Sequence, residues 1–382
     1  MRVGIMGGTL DPVHNGHLEI ARAVKEACGL DAILLLPAGD PPHKLRETNR
    51  FDRLEMAYLA AKTQPGMIVS DMEVMREGTT YTVDTLSELC ASRPDTRWVY
   101  IIGADTVRVL HKWRNFEKVA GLCEFAAVGR PGYAASEMQE DADGLMREYG
   151  AKIRLLEVCG PDISSTDVRN AVLEGKSISD LVPEPVEKYI REKGLYLCGM
   201  PLDDVKSALE KKLKPGRWQH TLGVAETAKR LAGKYGVDPM RAYLAGLLHD
   251  CAKWMSYEDM VNLVSGNVED VTGEELANEP VLHAPAGMLV AARDYGVRDP
   301  EILSAIRRHT VGSGGMTALE KLIYTADFVE PNRKPFPGLE EARNLAETDL
   351  NAATKKCAQL TRDHVIACGG VPDARSLEII EE

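Results

Sequence analysis

The chain has 382 residues, 44% of them hydrophobic and 27% charged, a composition that excludes disorder and a length that points to two globular domains. A formal net charge of −12 excludes a dedicated nucleic-acid binder, because displacing counterions from DNA or RNA needs clustered Lys and Arg. Eight cysteines without a CxxC pair read as buried or idle thiols in a reducing compartment. The amino terminus enters a strand directly and no run nears about eighteen apolar residues, so the expected address is the cytoplasm, without a membrane partner.

Arg2 to Met6 is a short apolar run and predicts a buried strand; after it comes Gly7-Gly8-Thr9-Leu10-Asp11-Pro12-Val13-His14-Asn15-Gly16-His17. Glycines let a backbone approach a phosphate closely, and the first turn of a following helix aims free N–H groups and about half a unit of positive charge at it. His14 and His17, at i and i+3, face the same anion. Leu18, Ala21, Val24 and Cys28 continue at near-helical spacing, and Ala32 to Pro37 is a continuous apolar run, as a strand covered on both faces would be. Strand, helix, strand opens a doubly wound α/β parallel sheet, in which ligands bind at the carboxyl ends of the strands.

The stiff loop Ala38-Gly39-Asp40-Pro41-Pro42-His43-Lys44 follows that strand, and Lys44 reaches towards phosphate. Arg50 to Ala61 reads as a helix and Met67 to Ser70 as a strand. Gly78 to Leu86 is a hydroxyl-rich turn entering a helix, where Tyr81 and Thr82 would stack and hydrogen-bond a flat heteroaromatic acid, and Thr82 or Asp84 would cap the helix. Trp98 to Asp105 is a fourth strand ending in a Gly103-Ala104-Asp105 turn, with Asp105 placed for a ribose hydroxyl and Trp113 one or two helical turns on. Glu124 to Val128 is a fifth strand with Arg130 just beyond it. Gly132 to Met146 is polar and acidic and suggests no function, and Ile153 to Val158 is the last strand. Ile163-Ser164-Ser165-Thr166-Asp167-Val168-Arg169 then opens a helix with three hydroxyls and an arginine one turn inside, a second anion cradle.

These strings resemble the nucleotidyltransferase superfamily through its T/HxGH signature, and more narrowly bacterial nicotinate-nucleotide adenylyltransferases through GGTxDPVHxGH, PPHK, SYTxDTL, GxDxxxxxxxW and ISSTxxR, spanning residues 1–198. The resemblance implies a Rossmann-like fold that transfers AMP from ATP to nicotinate mononucleotide, releasing pyrophosphate, with Mg²⁺ on the triphosphate. It implies that Gly7, Gly8, Thr9, Gly103, Arg130, Ser164, Ser165 and Thr166 bind substrate. Tyr81, Thr82 and Trp113 would take the pyridine and Asp105 the ribose. His14 and His17 would stabilise the α-phosphoryl oxygens while Lys44 and Arg169 hold the departing phosphates, so that alignment and charge neutralisation do the chemistry. The nearest alternative is another transferase of the superfamily, of pantetheine-phosphate or cytidylyl type.

Gly199-Met200-Pro201 breaks the pattern and places a short boundary before a second domain, 202–382. Val205 to Leu213, His220 to Tyr235 and Met240 to Cys251 are successive amphipathic stretches of an all-α domain. The apolar run Ala245 to Leu248 sets His249 and Asp250 at a buried helix end, where an unpaired carboxylate is costly and a cation is the usual remedy. His220, His249, Asp250, His283, His309 and Asp327 form a mixed nitrogen and oxygen set suited to two six-coordinate ions, iron or manganese rather than magnesium. Lys253 and Arg307 are placed as phosphate-neutralising cations.

The order His…His-Asp…His…His…Asp resembles the HD-domain phosphohydrolases, and His249-Asp250-Cys251-Ala252-Lys253 with Tyr324 to Glu330 resembles their YqeK-type members. That resemblance implies cleavage of symmetrical diadenosine tetraphosphate to two ADP, with Asp250 bridging two metals and Lys253 on substrate. A nucleotide sensor without catalysis is the alternative for this half. Neither resemblance fixes the oligomeric state, and a homo-oligomer is compatible with both.

Overall fold

The computed structural model describes residues 1–39, 48–129, 135–157 and 160–382. Lys44 and Arg130 lie outside these residues. The chain divides into two compact units, Met1–Ala171 with Ser177–Tyr189, and Val172–Lys176 with Ile190–Glu382. The second unit thus takes in Ile190 to Cys198, which the sequence assigned to the first domain.

The first unit is built on six parallel strands: β1 (Arg2–Gly8), β2 (Ala32–Pro37), β3 (Met67–Val69), β4 (Arg97–Gly103), β5 (Glu124–Val128) and β6 (Lys152–Leu156), in the order β3-β2-β1-β4-β5-β6. The chain runs outward from β1 on one side and then returns to pair β4 on the other, so the direction of winding reverses between β1 and β4. A crevice opens outside the strand ends at such a point. The helices are α1 (Asn15–Cys28), α2 (Arg50–Lys62), α3 (Met72–Met75), α4 (Thr82–Ser92), α5 (Ala104–Val107), α6 (Phe116–Leu122), α7 (Ala135–Tyr149), α8 (Ser165–Leu173) and α9 (Glu184–Lys193).

Both faces of the sheet are covered at its centre, which is why β1, β2, β4 and β5 are apolar without alternation, whereas the edge strand β6 alternates from Lys152 to Leu155. Val3, Ile5, Leu34, Leu36, Leu86 and Phe125 belong to one buried cluster, and Ile33, Leu35, Met56 and Ala57 are buried as well. α1 buries Leu18, Ala21, Val24 and Cys28, the spacing seen in the sequence, and ends at Gly29 in the left-handed conformation. α2 is capped by Asn49, whose side chain accepts from the N–H groups of Phe51 and Asp52. α7 occupies most of the polar stretch that the sequence had left featureless; Met138, Ala142 and Leu145 are its buried face.

The second unit is all-α: α10 (Leu202–Lys212), α11 (Pro215–Ala232), α12 (Pro239–Leu248), α13 (Tyr257–Val264), α14 (Gly273–Leu276), α15 (Glu279–Tyr295), α16 (Pro300–Arg308), α17 (Ala318–Val329), α18 (Leu339–Thr348), α19 (Leu350–Ala367) and α20 (Ala374–Glu381). α12 and α16 start alike, with an Asp cap and a Pro in the first turn: Asp238-Pro239 and Asp299-Pro300. α11 and α12 pack tightly because Gly246 has no side chain; a Cβ there would lie 2.9 Å from Cα of Ala225. Among the described residues no helix is long and apolar enough to cross a membrane.

Candidate functional site

Each unit carries one cluster of chemically capable side chains. In the first, Gly7 and Gly8 end β1, Gly103 ends β4, and Asp105 is exposed in the first turn of α5, so these sequence-predicted residues sit at the carboxyl ends of the two central strands. His14 caps α1 and His17 lies in its first turn; the His14 backbone N–H donates to Nδ1 of His17 at 3.3 Å, and the two rings lie 3.7 Å apart at a tilt of 39°. The sequence spacing therefore does bring both imidazoles to one place. Gly16 is required there, since a Cβ would press on the His14 ring at 3.0 Å and on the Ile163 carbonyl at 3.3 Å.

The late serine-rich turn is tied to this loop across more than 150 residues of sequence. Ser165 Oγ donates to the Pro12 carbonyl at 2.9 Å, and Arg169 Nη1 to the Asp11 carbonyl at 2.8 Å. Thr48 Oγ1 holds the Asp11 carboxylate at 2.6 Å. The Ser164 side chain and backbone hydrogen-bond Asp167 and lower its pKa, leaving Thr166 and Ser165 at the start of α8. Tyr81 caps α4 with the Arg114 guanidinium 4.4 Å above its ring, and Thr82 begins the helix. Trp113 is half-buried, edge-on to Tyr100 at 5.6 Å and to Phe125 at 6.4 Å.

Arg53, which sequence reasoning did not single out, is among the largest fully buried side chains of the described residues. Its Nη1 donates to the carbonyls of Thr9 at 2.8 Å and Ala38 at 2.6 Å, and its Nη2 to Gly39 at 2.9 Å. One guanidinium thereby fastens the loops after β1 and β2 to each other. Close by, Gly39 leaves no room for a side chain, because a Cβ would overlap the Glu73 carbonyl. Burial raises the Glu73 carboxyl pKa, against the opposing hydrogen bond from Thr85.

In the second unit the six predicted ligands come together. His220 is on α11, His249 and Asp250 follow the end of α12, His283 is on α15, His309 caps the end of α16 and Asp327 is in the last turn of α17. His220 Nε2 lies 2.9 Å and His249 Nε2 3.8 Å from Asp327 Oδ1. Asp250 Oδ1 is 3.2 Å from His283 Nε2 and 3.8 Å from His309 Nε2, while its Oδ2 is 3.4 Å from His249 Nε2. Two groups, His220-His249-Asp327 and His249-Asp250-His309, each place their ligand atoms within 4.8 Å of one another and share His249.

The imidazoles are oriented by acceptors behind them. His249 Nδ1 is 2.6 Å from the Gly246 carbonyl and His309 Nδ1 2.7 Å from that of Ile306, each three residues back in a helix's last turn, where carbonyls lack partners within the helix. A carbonyl only accepts, so these Nδ1 atoms carry a proton; His309 thereby turns its Nε2 inward, while at His249 burial is outweighed by the Asp250 carboxylate, which raises the pKa. His220 Nδ1 is held by Glu330 Oε1 at 3.1 Å, and Glu330 is itself buried. Burial lowers the pKa of His283, and burial with the His283 and His249 rings lowers that of His309 to about 3, so both are neutral ligands at pH 7. Burial opposes ionisation of Asp250 and Asp327, but the surrounding histidines outweigh it and both carboxyls are lowered. His249 Nε2 is fully buried without a normally aligned hydrogen-bond partner among the described residues. Inward lone pairs, ionised carboxylates and an unbonded buried nitrogen are what a divalent cation needs.

Lys253 is half-buried near this cluster and burial lowers its pKa. Arg307 does not serve as placed by the sequence. It is 5% exposed and bound through both terminal nitrogens to Glu275, at 2.7 and 2.9 Å, with Asp270 at 3.2 Å from Nε. Its partner lies 32 residues away, which no local pattern reveals. Glu330, marked in the sequence only as the end of a motif, and Thr310 and Arg333, not singled out, complete the surroundings: Thr310 Oγ1 is 3.0 Å from His309 Nε2, and Arg333 Nη2 is 3.0 Å from Asp327 Oδ1.

Residues 5–171 match the cytidylyltransferase-like family, and residues 217–332 match the HD domain. A probable nicotinate-nucleotide adenylyltransferase of Desulfitobacterium hafniense (strain DSM 10664 / DCB-2) is 41% identical over 197 residues, which make up 51% of this chain and 95% of the relative. The chain belongs to the nicotinate-nucleotide adenylyltransferase family. A second relative named for that activity, from Thermoanaerobacter sp. (strain X514), is 40% identical over 199 residues, 51% of this chain and 94% of its own. The family accounts for the N-terminal half, and the HD domain is joined to it in the second. The crystal structure of a predicted HD superfamily hydrolase involved in NAD metabolism from Clostridium acetobutylicum is 37% identical, covers 47% of this chain and 97% of its own, and aligns with a TM-score of 0.45.

Proposed function

We propose that this adenylyltransferase-family chain is bifunctional, with domains at residues 1–198 and 202–382. The first transfers AMP from ATP to nicotinate mononucleotide, giving deamido-NAD and pyrophosphate. The observation that carries this reading is the pair of bonds from Ser165 and Arg169 to the Pro12 and Asp11 carbonyls, because it sets a second anion cradle beside His14 and His17. ATP bound there, with its Mg²⁺, meets the two imidazoles at the α-phosphate and Arg169 at the departing phosphates, and Lys44 is assigned to the same phosphates. Gly7, Gly8, Thr9, Gly103, Ser164, Ser165 and Thr166 line the phosphate path, and Arg130 is assigned to substrate; Asp105 takes a ribose hydroxyl, and Tyr81, Thr82 and Trp113 the pyridine ring. As charge builds on the phosphoryl oxygens, fixed donors lower the barrier without a protein nucleophile.

The second domain hydrolyses symmetrical diadenosine tetraphosphate to two ADP. His220, His249, Asp250, His283, His309 and Asp327 would hold two metal ions, iron or manganese; such ions would polarise phosphoryl oxygens and lower the pKa of water from about 15.7 towards 7. This chain's own residues fix the imidazole tautomers through Gly246, Ile306 and Glu330 and neutralise phosphate through Lys253. The test is direct. The purified chain is incubated with Mg²⁺ and either ATP with nicotinate mononucleotide, its amide or phosphopantetheine, or CTP with a cytidylyl acceptor, and, separately, with Mn²⁺ or Fe²⁺ and diadenosine tetraphosphate. Deamido-NAD and ADP are the expected products; no product from nicotinate mononucleotide overturns the first assignment, and binding of the tetraphosphate without cleavage overturns the second.

A further inference from the structure

The two carboxylates of the HD centre differ in depth and each carries an arginine at its outer edge. Asp250 is 2% and Asp327 22% exposed. Arg217, in the first turn of α11 and 41% exposed, donates from Nη1 to Asp250 Oδ2 at 2.8 Å. Arg333, just after α17 and 39% exposed, donates from Nη2 to Asp327 Oδ1 at 3.0 Å and from Nε to the Asp327 carbonyl at 3.0 Å. Asp250 belongs to one of the two ligand groups and Asp327 to the other, so the pair of arginines brackets the centre.

A guanidinium has five N–H donors in a rigid fork suited to phosphate. Arg217 commits one of them and Arg333 two to the protein among the described residues, leaving the remainder for a ligand. Neither arginine is buried as Arg307 is, and neither shares its charge with a second carboxylate among the described residues. A phosphomonoester offers one anionic group and would use one of these forks. A chain of phosphates drawn across the centre offers a group to each.

We propose that Arg217 and Arg333 are substrate-binding residues that grip the phosphates on either side of the reacting one, so that the HD centre selects an internal anhydride of a polyphosphate chain over a terminal monoester. This rests on the hydrolase reading above and names the residues and the substrate geometry behind it. In the reaction a water oxygen bonds to an internal phosphorus, the bridging P–O bond breaks, and its electron pair leaves with the departing nucleoside polyphosphate; the water proton passes to solvent, and no redox partner is needed.

The experiment uses the full chain and measures binding of inorganic tripolyphosphate by calorimetry, with Mn²⁺ affinity followed separately by chelator competition. Arg217→Gln and Arg333→Gln are each expected to weaken tripolyphosphate binding about tenfold or more, the loss of a charge-assisted contact. Each should also reduce the slope of log affinity against log salt, and the Lys variants should recover part of both. Inorganic phosphate should bind the wild type far more weakly than tripolyphosphate and lose little more in the double variant than in the weaker single one. Equal tripolyphosphate affinity in wild type and both Gln variants overturns the proposal. So does a loss that appears only together with lost Mn²⁺ affinity, for that assigns the arginines to the carboxylates alone. If a Gln variant melts early, the Lys variant decides by the same salt slope. Wild-type protein that binds tripolyphosphate but fails to cleave diadenosine tetraphosphate refutes the hydrolase reading instead, and is distinguishable from either outcome.

Discussion

Replacing Arg53 with methionine keeps the aliphatic stem in the core but removes every hydrogen bond from its guanidinium. The carbonyls of Thr9, Ala38 and Gly39 then lose a charged donor in a place with no solvent access through Arg53 itself, which is 0% exposed. Leaving a buried acceptor unmatched costs about 1–3 kcal/mol, so three partly relaxing acceptors set the loss at about 3–5 kcal/mol. For a unit of this size a kilocalorie is worth about 2–4 °C in Tm, which predicts a fall of roughly 6–20 °C for the N-terminal unit. Calorimetry of the full chain checks this, with the N-terminal transition identified as the one that ATP raises. Arg53→Lys should recover less than half of the loss, since an ammonium lacks the fork that spans both loops. A transition within about 1 °C of wild type, with adenylyl transfer retained, would refute the claim that Arg53 fastens the loops.

Further outcomes follow from single residues. Burial raises the Glu73 carboxyl, and a carboxyl raised on folding contributes stability that is complete below its unfolded pKa and lost as pH rises through the folded value. Glu73→Gln should therefore flatten the decline in Tm on going from acid to neutral pH; an equal loss at every pH contradicts this. Glu330→Gln should lower the Mn²⁺ affinity of the second unit about 10–100-fold by loosening His220, measured by chelator competition, and unchanged affinity would show that Glu330 does not orient the ligand. Gly39→Ala forces a Cβ into the Glu73 backbone and should cost more than about 2 kcal/mol, read as early melting of the N-terminal unit; a wild-type melt contradicts the contact.

Much of the fold was legible because its signals are local. Buried parallel strands show as apolar runs, and β2 occupies the very stretch Ala32–Pro37 that the sequence marks. The apolar run before His249 also located the buried end of α12. What the sequence hid is long-range. Arg53 looks like a solvated residue of an amphipathic helix until its three carbonyl partners are brought in from two other loops. Arg307 looked like a substrate cation for the same reason, its carboxylate being on α14. α7 was passed over for its acidic composition, although Met138, Ala142 and Leu145 recur at helical spacing and form its buried face. The six ligands could be picked out by type and order, whereas the carbonyls of Gly246 and Ile306 that aim two of them belong to the backbone and leave no mark in residue identity.

The central claim is that one chain holds two separate centres of opposite chemistry. It is tested most directly by assaying wild type, His14→Ala and Asp250→Ala for both reactions, with purified full-length protein. His14→Ala should lose formation of deamido-NAD from ATP and nicotinate mononucleotide while cleaving diadenosine tetraphosphate as wild type does, and Asp250→Ala should do the reverse. Loss of both reactions in either folded variant, or a wild type that performs neither, would contradict it.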